Sequence, residues 1–203
     1  MRKTIFIVLV VHVVAATVCV FALLIFQLTP RSVVQAAPQK PEQRISFLKQ
    51  PAEDAGNPVR LRIPSIEVDA AITSVGLTAE GAMDLPDDPD NVGWYNLGSR
   101  PGQQGSAVLA GHLNWYNGKT GVFQHLNRLE EGDIVSVETE RGRFLLFTVR
   151  EIQSYSPEEY VPDVFAMRDG SHLNLVTCGG VWDPVAKIYR ERLVVFAEAV
   201  DRM

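Results

Sequence analysis

The chain of 203 residues holds two cysteines, Cys19 and Cys178, and four histidines. Cys19 falls inside a long apolar run, which leaves Cys178 as the one thiol of the remainder. A lone thiol excludes a disulfide scaffold, and no CxxC spacing offers a metal or redox pair. Packing in a core is one fate for such a residue. Its neighbours point to another. Cys178 ends the strand-like run His172-Leu173-Asn174-Leu175-Val176-Thr177 and is followed by Gly179-Gly180. Two glycines after a strand let the backbone turn sharply and approach a ligand, so the thiol is expected at a strand mouth, open to substrate. The nucleophile is the thiolate, and a free thiol ionises only near pH ~8.5, so a neighbouring cation or imidazole has to help.

His112, His125 and His172 are the candidates for that help. His172 shares the face of Cys178 by alternation, but six residues of extended chain separate the two by ~20 Å, far beyond hydrogen-bond reach. His125 falls in a short helical pattern, where a packing or surface role competes with chemistry. His112 follows the apolar run Ala107-Val108-Leu109-Ala110 and Gly111, and precedes a polar loop over residues 113–121. A strand end opening into such a loop is where chemistry concentrates. Arginine enters through Tyr189-Arg190-Glu191-Arg192-Leu193-Val194-Val195. Arg190 and Arg192 are two apart on a strand and share a face with Val194 and Phe196. An arginine there either closes a salt bridge at the rim or donates to a developing oxyanion or a substrate carbonyl. No pair among these histidines and Cys178 has zinc-ligand spacing. Asp84, Asp87, Asp88 and Asp90 lack a calcium-loop spacing and read as a solvated acidic turn.

The elements that must hold these groups are mostly strands. From Val59 onward, short apolar runs are bounded by Gly, Pro, Asn and Asp, the pattern of an all-β domain. Strands are predicted over residues 60–63, 68–75, 82–85, 107–110, 133–139, 143–152, 173–177 and 193–197. Glu140-Arg141-Gly142 turns the fifth into the sixth. Apolar residues at 122, 123, 126 and 129 predict one short helix. The expectation is a mainly β chain, a closed or partly closed barrel with one or two small helices.

Ahead of that domain, residues 5–28 form 24 residues without a charged side chain. As a helix they reach ~36 Å, enough for a ~30 Å hydrocarbon layer with some tilt. Arg2-Lys3 belongs on the cytoplasmic side, which puts the bulk of the chain outside. Val34-Gln35-Ala36 resembles a signal-peptide cleavage site, yet the apolar core exceeds the ~7–15 residues usual for one, so an uncleaved anchor over residues 1–29 is expected. Pro30, Pro38, Pro41, Pro51 and Pro58 make residues 30–58 a linker, and residues 59–203 the folded domain. No acidic residue precedes residue 37, so the remainder carries 24 acidic against 16 basic side chains. Nucleic acid, which is held through Lys and Arg on phosphates, is excluded as a partner.

Several of these residues resemble those of one family. Leu175-Val176-Thr177-Cys178 fits the LxTC element of sortases, the cysteine transpeptidases of Gram-positive surfaces. Ala110-Gly111-His112 is similar to their AGH element, and Arg192-Leu193-Val194-Val195 to their C-terminal arginine strand, in the order His, Cys, Arg with 14 residues from Cys178 to Arg192. Arg62-Ile63-Pro64-Ser65-Ile66, Val92-Gly93-Trp94-Tyr95, and Cys178-Gly179-Gly180 followed by Asp183 look like the class F branch of actinobacteria.

The resemblance implies a closed sortase-type β-barrel of about eight strands after an N-terminal transmembrane helix, with no cofactor and no metal. Cys178 would attack the threonine carbonyl of an LPxTG-like sorting signal on a surface protein, giving a thioacyl-enzyme. His112 would be general acid and base, and Arg192 would hold the substrate backbone, with Arg190 as the alternative. The acceptor would be a peptidoglycan-precursor amine, and the enzyme would sit on the cell membrane with its catalytic domain outside. Asn174, Thr177, Gly179 and Gly180 are the implied groove residues; Asn174 stands where many sortases have Thr. The rival readings are an exported cysteine hydrolase or protease that uses water, and a non-catalytic barrel that binds wall or protein.

Overall fold

The structure, a computed structural model, describes residues 55–200. The expected anchor and nearly all of the linker lie outside the described residues. Among the described residues no helix is long and apolar enough to cross a membrane. Eight strands close into a barrel: β1 (Pro58–Ile63), β2 (Val68–Val75), β3 (Val92–Tyr95), β4 (Gly105–Ala110), β5 (Ile134–Thr139), β6 (Phe144–Tyr155), β7 (Ser171–Asp183) and β8 (Ile188–Ala199). Their order around the wall is β1-β2-β3-β4-β7-β8-β6-β5. Two neighbouring pairs are parallel, β2 with β3 and β4 with β7.

Alternation explains most of the wall. In β2, Val68, Ala70 and Ile72 turn inward while Asp69, Ala71 and Thr73 are exposed. Leu61, Ile63, Val135, Val137, Phe147 and Leu175 meet in the barrel interior, each fully buried. Burial of each such side chain is worth ~1.5–3 kcal/mol. β4 departs from alternation, because all six of its residues are buried. Its inner side chains Ala107 and Leu109 join the barrel core, while Val108 joins an outer cluster with Val164, Val194 and Phe196. The outer face of β4, β7 and β8 is therefore covered. The cover is a single helical turn, α1 (Asp163–Ala166), with the chain around it.

Asn174 fastens that cover. It is fully buried, and its Nδ2 donates to the carbonyls of Asp163 (3.3 Å) and Val164 (2.6 Å). Ser106 adds a bond to the Asp163 carbonyl and accepts one from the Met167 N–H. Asn174→Ala is expected to cost about 1–3 kcal/mol, since it orphans the buried Val164 carbonyl, whereas the Asp163 carbonyl keeps its bond from Ser106. A lowered melting temperature, with faster amide exchange confined to residues 163–167, checks this; unchanged exchange there contradicts it.

Three sequence expectations need correction. Residues 82–85 are not a strand: only the bridge Leu77–Met83 forms, because Pro86 and Pro89 follow and leave no ladder to extend. β3, which the sequence reading omitted, lies at residues 92–95 instead. The helix expected over residues 122–129 is a run of turns ending in a 3-10 turn at Leu126–Arg128. Its buried side chains Phe123, Leu126 and Leu129 recur every three residues, the 3-10 period rather than 3.6.

Candidate active site

Strand register brings three distant residues to one level. The parallel pairing of β4 and β7 runs to Ala110 opposite Val176. Beyond it the Gly111 N–H donates to the Val176 carbonyl (3.1 Å), and Thr177 Oγ1 donates to the Gly111 carbonyl (2.8 Å). His112 thus leaves β4 at the level of Cys178 on the adjacent strand. On the other side of β7, Cys178 pairs directly with Arg192 of β8. Neighbouring strands lie ~4.8 Å apart, so His112 just past β4, Cys178 on β7 and Arg192 on β8 stand side by side at one height.

Cys178 is half-buried, not sealed. It shares the face of Val176 and so points to the outer side of the barrel wall, rather than to a barrel mouth. A mostly apolar groove of about 410 Å³ runs along this face. Its lining includes Cys178, Arg192, Val176, Leu85, Val161 and Phe165. The volume lies within the ~300–1,000 Å³ of small-ligand sites. Tyr155, opposite Arg192 in register, also faces it; burial and the carboxylates of Glu151, Glu159 and Asp163 push its phenol up, so it stays neutral.

The imidazole of His112 is held from several sides. Its Nε2 lies 2.9 Å from the Pro86 carbonyl, and its ring packs edge-on against Trp115 at 4.6 Å. A carbonyl only accepts, so Nε2 carries a hydrogen and Nδ1 is the nitrogen that can gain or lose a proton. The His112 carbonyl accepts from the Phe123 N–H (2.9 Å), which folds the 113–121 loop back on itself. Gly121 allows this closure, because a Cβ there would lie 2.1 Å from the His112 oxygen.

The two arginines part company. Arg192 is half-buried, and its Nη1 donates to the carbonyls of Glu191 (3.0 Å) and Tyr189 (3.3 Å). A guanidinium carries further donors on Nε and Nη2. Arg190 is 68% exposed and donates to Asp183 Oδ2 at 2.9 Å. What separates them is a bulge. Cys178 does not end its strand as expected: pairing continues with Gly179 opposite Glu191, and then two residues, Gly180 and Val181, stand against Arg190 before Trp182 pairs with Tyr189. Gly180 has φ +70°, and the bulge absorbs the turn that the two glycines suggested.

Asp183 fixes the hairpin beyond the bulge. The N–H groups of Ala186 and Val185 and the guanidinium of Arg190 hold its carboxyl below the usual range, Ala186 most strongly. A depressed folded-state pKa means stabilisation present above the ordinary carboxylate range, near pH ~3.9, and lost as pH falls through the lower folded value. Protection of the Val185 and Ala186 amides should therefore hold at neutral pH and fall below about pH 4, and Asp183→Asn should remove that dependence. Protection that is flat with pH in the unaltered chain contradicts this.

Of the other candidates, His172 is buried at the far end of β7 with Nε2 2.9 Å from Asp169, and His125 opens the 3-10 turn beside a different cavity with Glu67 and Asp90. Asn174 lies beneath the groove; Thr177 lines it, while Gly179 and Gly180 lie outside its lining. Sequence reading missed the Met83–Leu85 side of the groove and the Pro86 carbonyl. A backbone acceptor leaves no trace in residue type.

The sequence pattern of the sortase domain matches residues 61–200. No curated protein matches. Among solved structures, sortase C-1 from Actinomyces oris is 26% identical with a TM-score of 0.57, the match covering 81% of this chain and 82% of that one. A lid mutant of sortase A from Corynebacterium diphtheriae is 22% identical (TM-score 0.55, 78% and 80% covered). A sortase D5 transpeptidase from Clostridium perfringens is 21% identical (TM-score 0.54, 81% and 91% covered). The domain pattern spans well over half of the chain, and with the barrel's strand order and the alignment of His112, Cys178 and Arg192 it leads to one statement: the chain belongs to the sortase family, the cysteine transpeptidases.

Proposed function

We propose that this sortase cleaves an LPxTG-like sorting signal and passes the acyl group to an amine of a peptidoglycan precursor. The observation that carries the reading is the common level of His112, just beyond the end of β4, with Cys178 of β7 and Arg192 of β8 beside an apolar groove. Cys178 Sγ, as thiolate, attacks the threonine carbonyl. The guanidinium of Arg192 meets the developing oxyanion through Nε and Nη2, where an aligned donor is worth most. As the tetrahedral intermediate collapses, His112 gives the proton on Nδ1 to the leaving amine; Cys178 keeps the acyl group as a thioester. The acceptor amine then attacks the thioester, His112 takes its proton, the C–S bond breaks, and Cys178 leaves as the thiolate. The Pro86 carbonyl holds the ring through both transfers.

The sequence stretches at 62–66, 92–95 and 178–183 support placement in class F, and the apolar run over residues 5–28 supports a single-pass anchor with the catalytic domain outside the cell. Incubation of the full chain with an LPxTG peptide and an amine, followed by mass analysis, tests the reading. An amide adduct is expected. Free acid alone would make the protein a hydrolase, and no cleavage would leave a binding barrel.

A further inference from the structure

The groove lining reaches Gly111, and a second cavity begins at the next residue, His112. The second, about 710 Å³, is lined by His112, Asn114, Trp115, Tyr116, Trp182, Lys187 and Tyr189. The chain passes from one cavity to the other at Gly111–His112 and again between Arg192 and Tyr189, where Arg192 Nη1 binds the Tyr189 carbonyl. Any molecule seated in the second cavity therefore lies against His112, one residue beyond the groove lining.

Its surface is aromatic and preformed. Trp115 packs against His112 at 4.6 Å and Tyr116 at 4.7 Å, while Trp182 and Tyr189 pack at 5.1 Å across the β7–β8 hairpin. Asn114 Nδ2 donates to the Tyr189 hydroxyl at 2.6 Å and ties the two halves together. Tyr116 is nonetheless 75% exposed and Trp182 45%. Strand register gives independent evidence that this surface is built. By plain alternation Trp182 shares the face of Cys178. The bulge at Gly180 and Val181 shifts it by one residue, and a one-residue shift moves a side chain to the opposite face. Trp182 thereby stands over Tyr189 instead of over the thiol.

The lining selects a ligand class. Planar rings flanked by an amide, phenol hydroxyls and one ammonium offer flat apolar faces edged with hydrogen-bonding groups. A bare alkyl ammonium would find ring faces, but no carboxylate lines the cavity and Lys187 repels it. A sugar ring fits on each count: its C–H face stacks on indole or phenol, and its hydroxyl and acetamido groups reach Asn114 and the tyrosines. We propose that this cleft binds saccharide, the carbohydrate portion of the acceptor whose amine resolves the thioester. Its identity as acceptor rests on the acyl-transfer reading above; its capacity to bind sugar does not.

The test uses the full chain in detergent with N,N′-diacetylchitobiose as probe, read by saturation-transfer NMR. Millimolar binding is expected, kept in Cys178→Ala and, within a few-fold, in Trp182→Phe. Trp182→Ala should weaken it at least about tenfold, as loss of a central aromatic contact does. Absence of saturation transfer, or equal binding by Trp182→Ala and the unaltered chain, overturns the proposal. With two acceptors that carry the same amine, with and without the disaccharide, the sugar-bearing one should show a KM at least about tenfold lower, and Trp182→Ala should erase the difference. Thioester formation with donor peptide alone is measured beside these. Its failure counts against the transpeptidase reading, whereas absent sugar binding counts against the cleft.

Discussion

Cys178→Ala should abolish acyl transfer, lowering turnover of a sorting peptide by at least about 10⁴-fold, because Cys178 is the one thiol that lines the groove and its sulfur carries the covalent intermediate. The loss should appear in kcat, with peptide binding still measurable, since a half-buried thiol contributes little contact area to an otherwise apolar groove. Volume falls only slightly on the substitution, and the ladder between Cys178 and Arg192 is made by backbone, so the fold should persist. Turnover that survives in Cys178→Ala would remove the thiol from the mechanism. His112 would then have no nucleophile to serve.

The second large effect is expected at Arg192. Arg192→Lys should reduce kcat/KM by about 10²–10³-fold, the cost of losing an oxyanion donor, because an ammonium has no planar fork to contact the oxyanion and the backbone carbonyls together. Arg190→Ala, by contrast, should change kcat/KM by no more than about threefold, since Arg190 is engaged at the surface with Asp183, where such pairs are worth little. The opposite ranking would transfer the role to Arg190. The two residues share a face by alternation, so sequence spacing alone left both open; exposure and the bulge opposite Arg190 separate them.

Much of the barrel was legible because its strands obey a simple rule. β1, β2 and β5 have water on one side and core on the other, and their residues alternate accordingly. β4 was legible for the opposite reason: buried on both faces, it reads as an unbroken apolar run. β3 was not, since four residues including Gly93 are too short for periodicity, and its partner β2 lies parallel to it across a long loop. The turn at 126–128 was mistaken for α-helix because spacings of three and four mix in so short a stretch.

At the site, residue type indicated the lone thiol and a small set of imidazoles and guanidiniums. Among the imidazoles, the strand-end position and the resemblance singled out His112; what the sequence did not carry is the β4–β7 pairing of segments more than sixty residues apart, which brings it level with Cys178. The resemblance implied a groove residue at Asn174, whose side chain anchors α1 from beneath. The Pro86 carbonyl that orients His112 is main chain and carries no residue signature.

Acylation of the sulfur of residue 178 is read out by intact mass measurement of the full chain after brief exposure to an LPxTG peptide without an acceptor. The account predicts one added acyl mass, mapped to Cys178 and released by hydroxylamine. A chain whose peptide is cleaved with no adduct on that sulfur, or with an adduct on another residue, would contradict it.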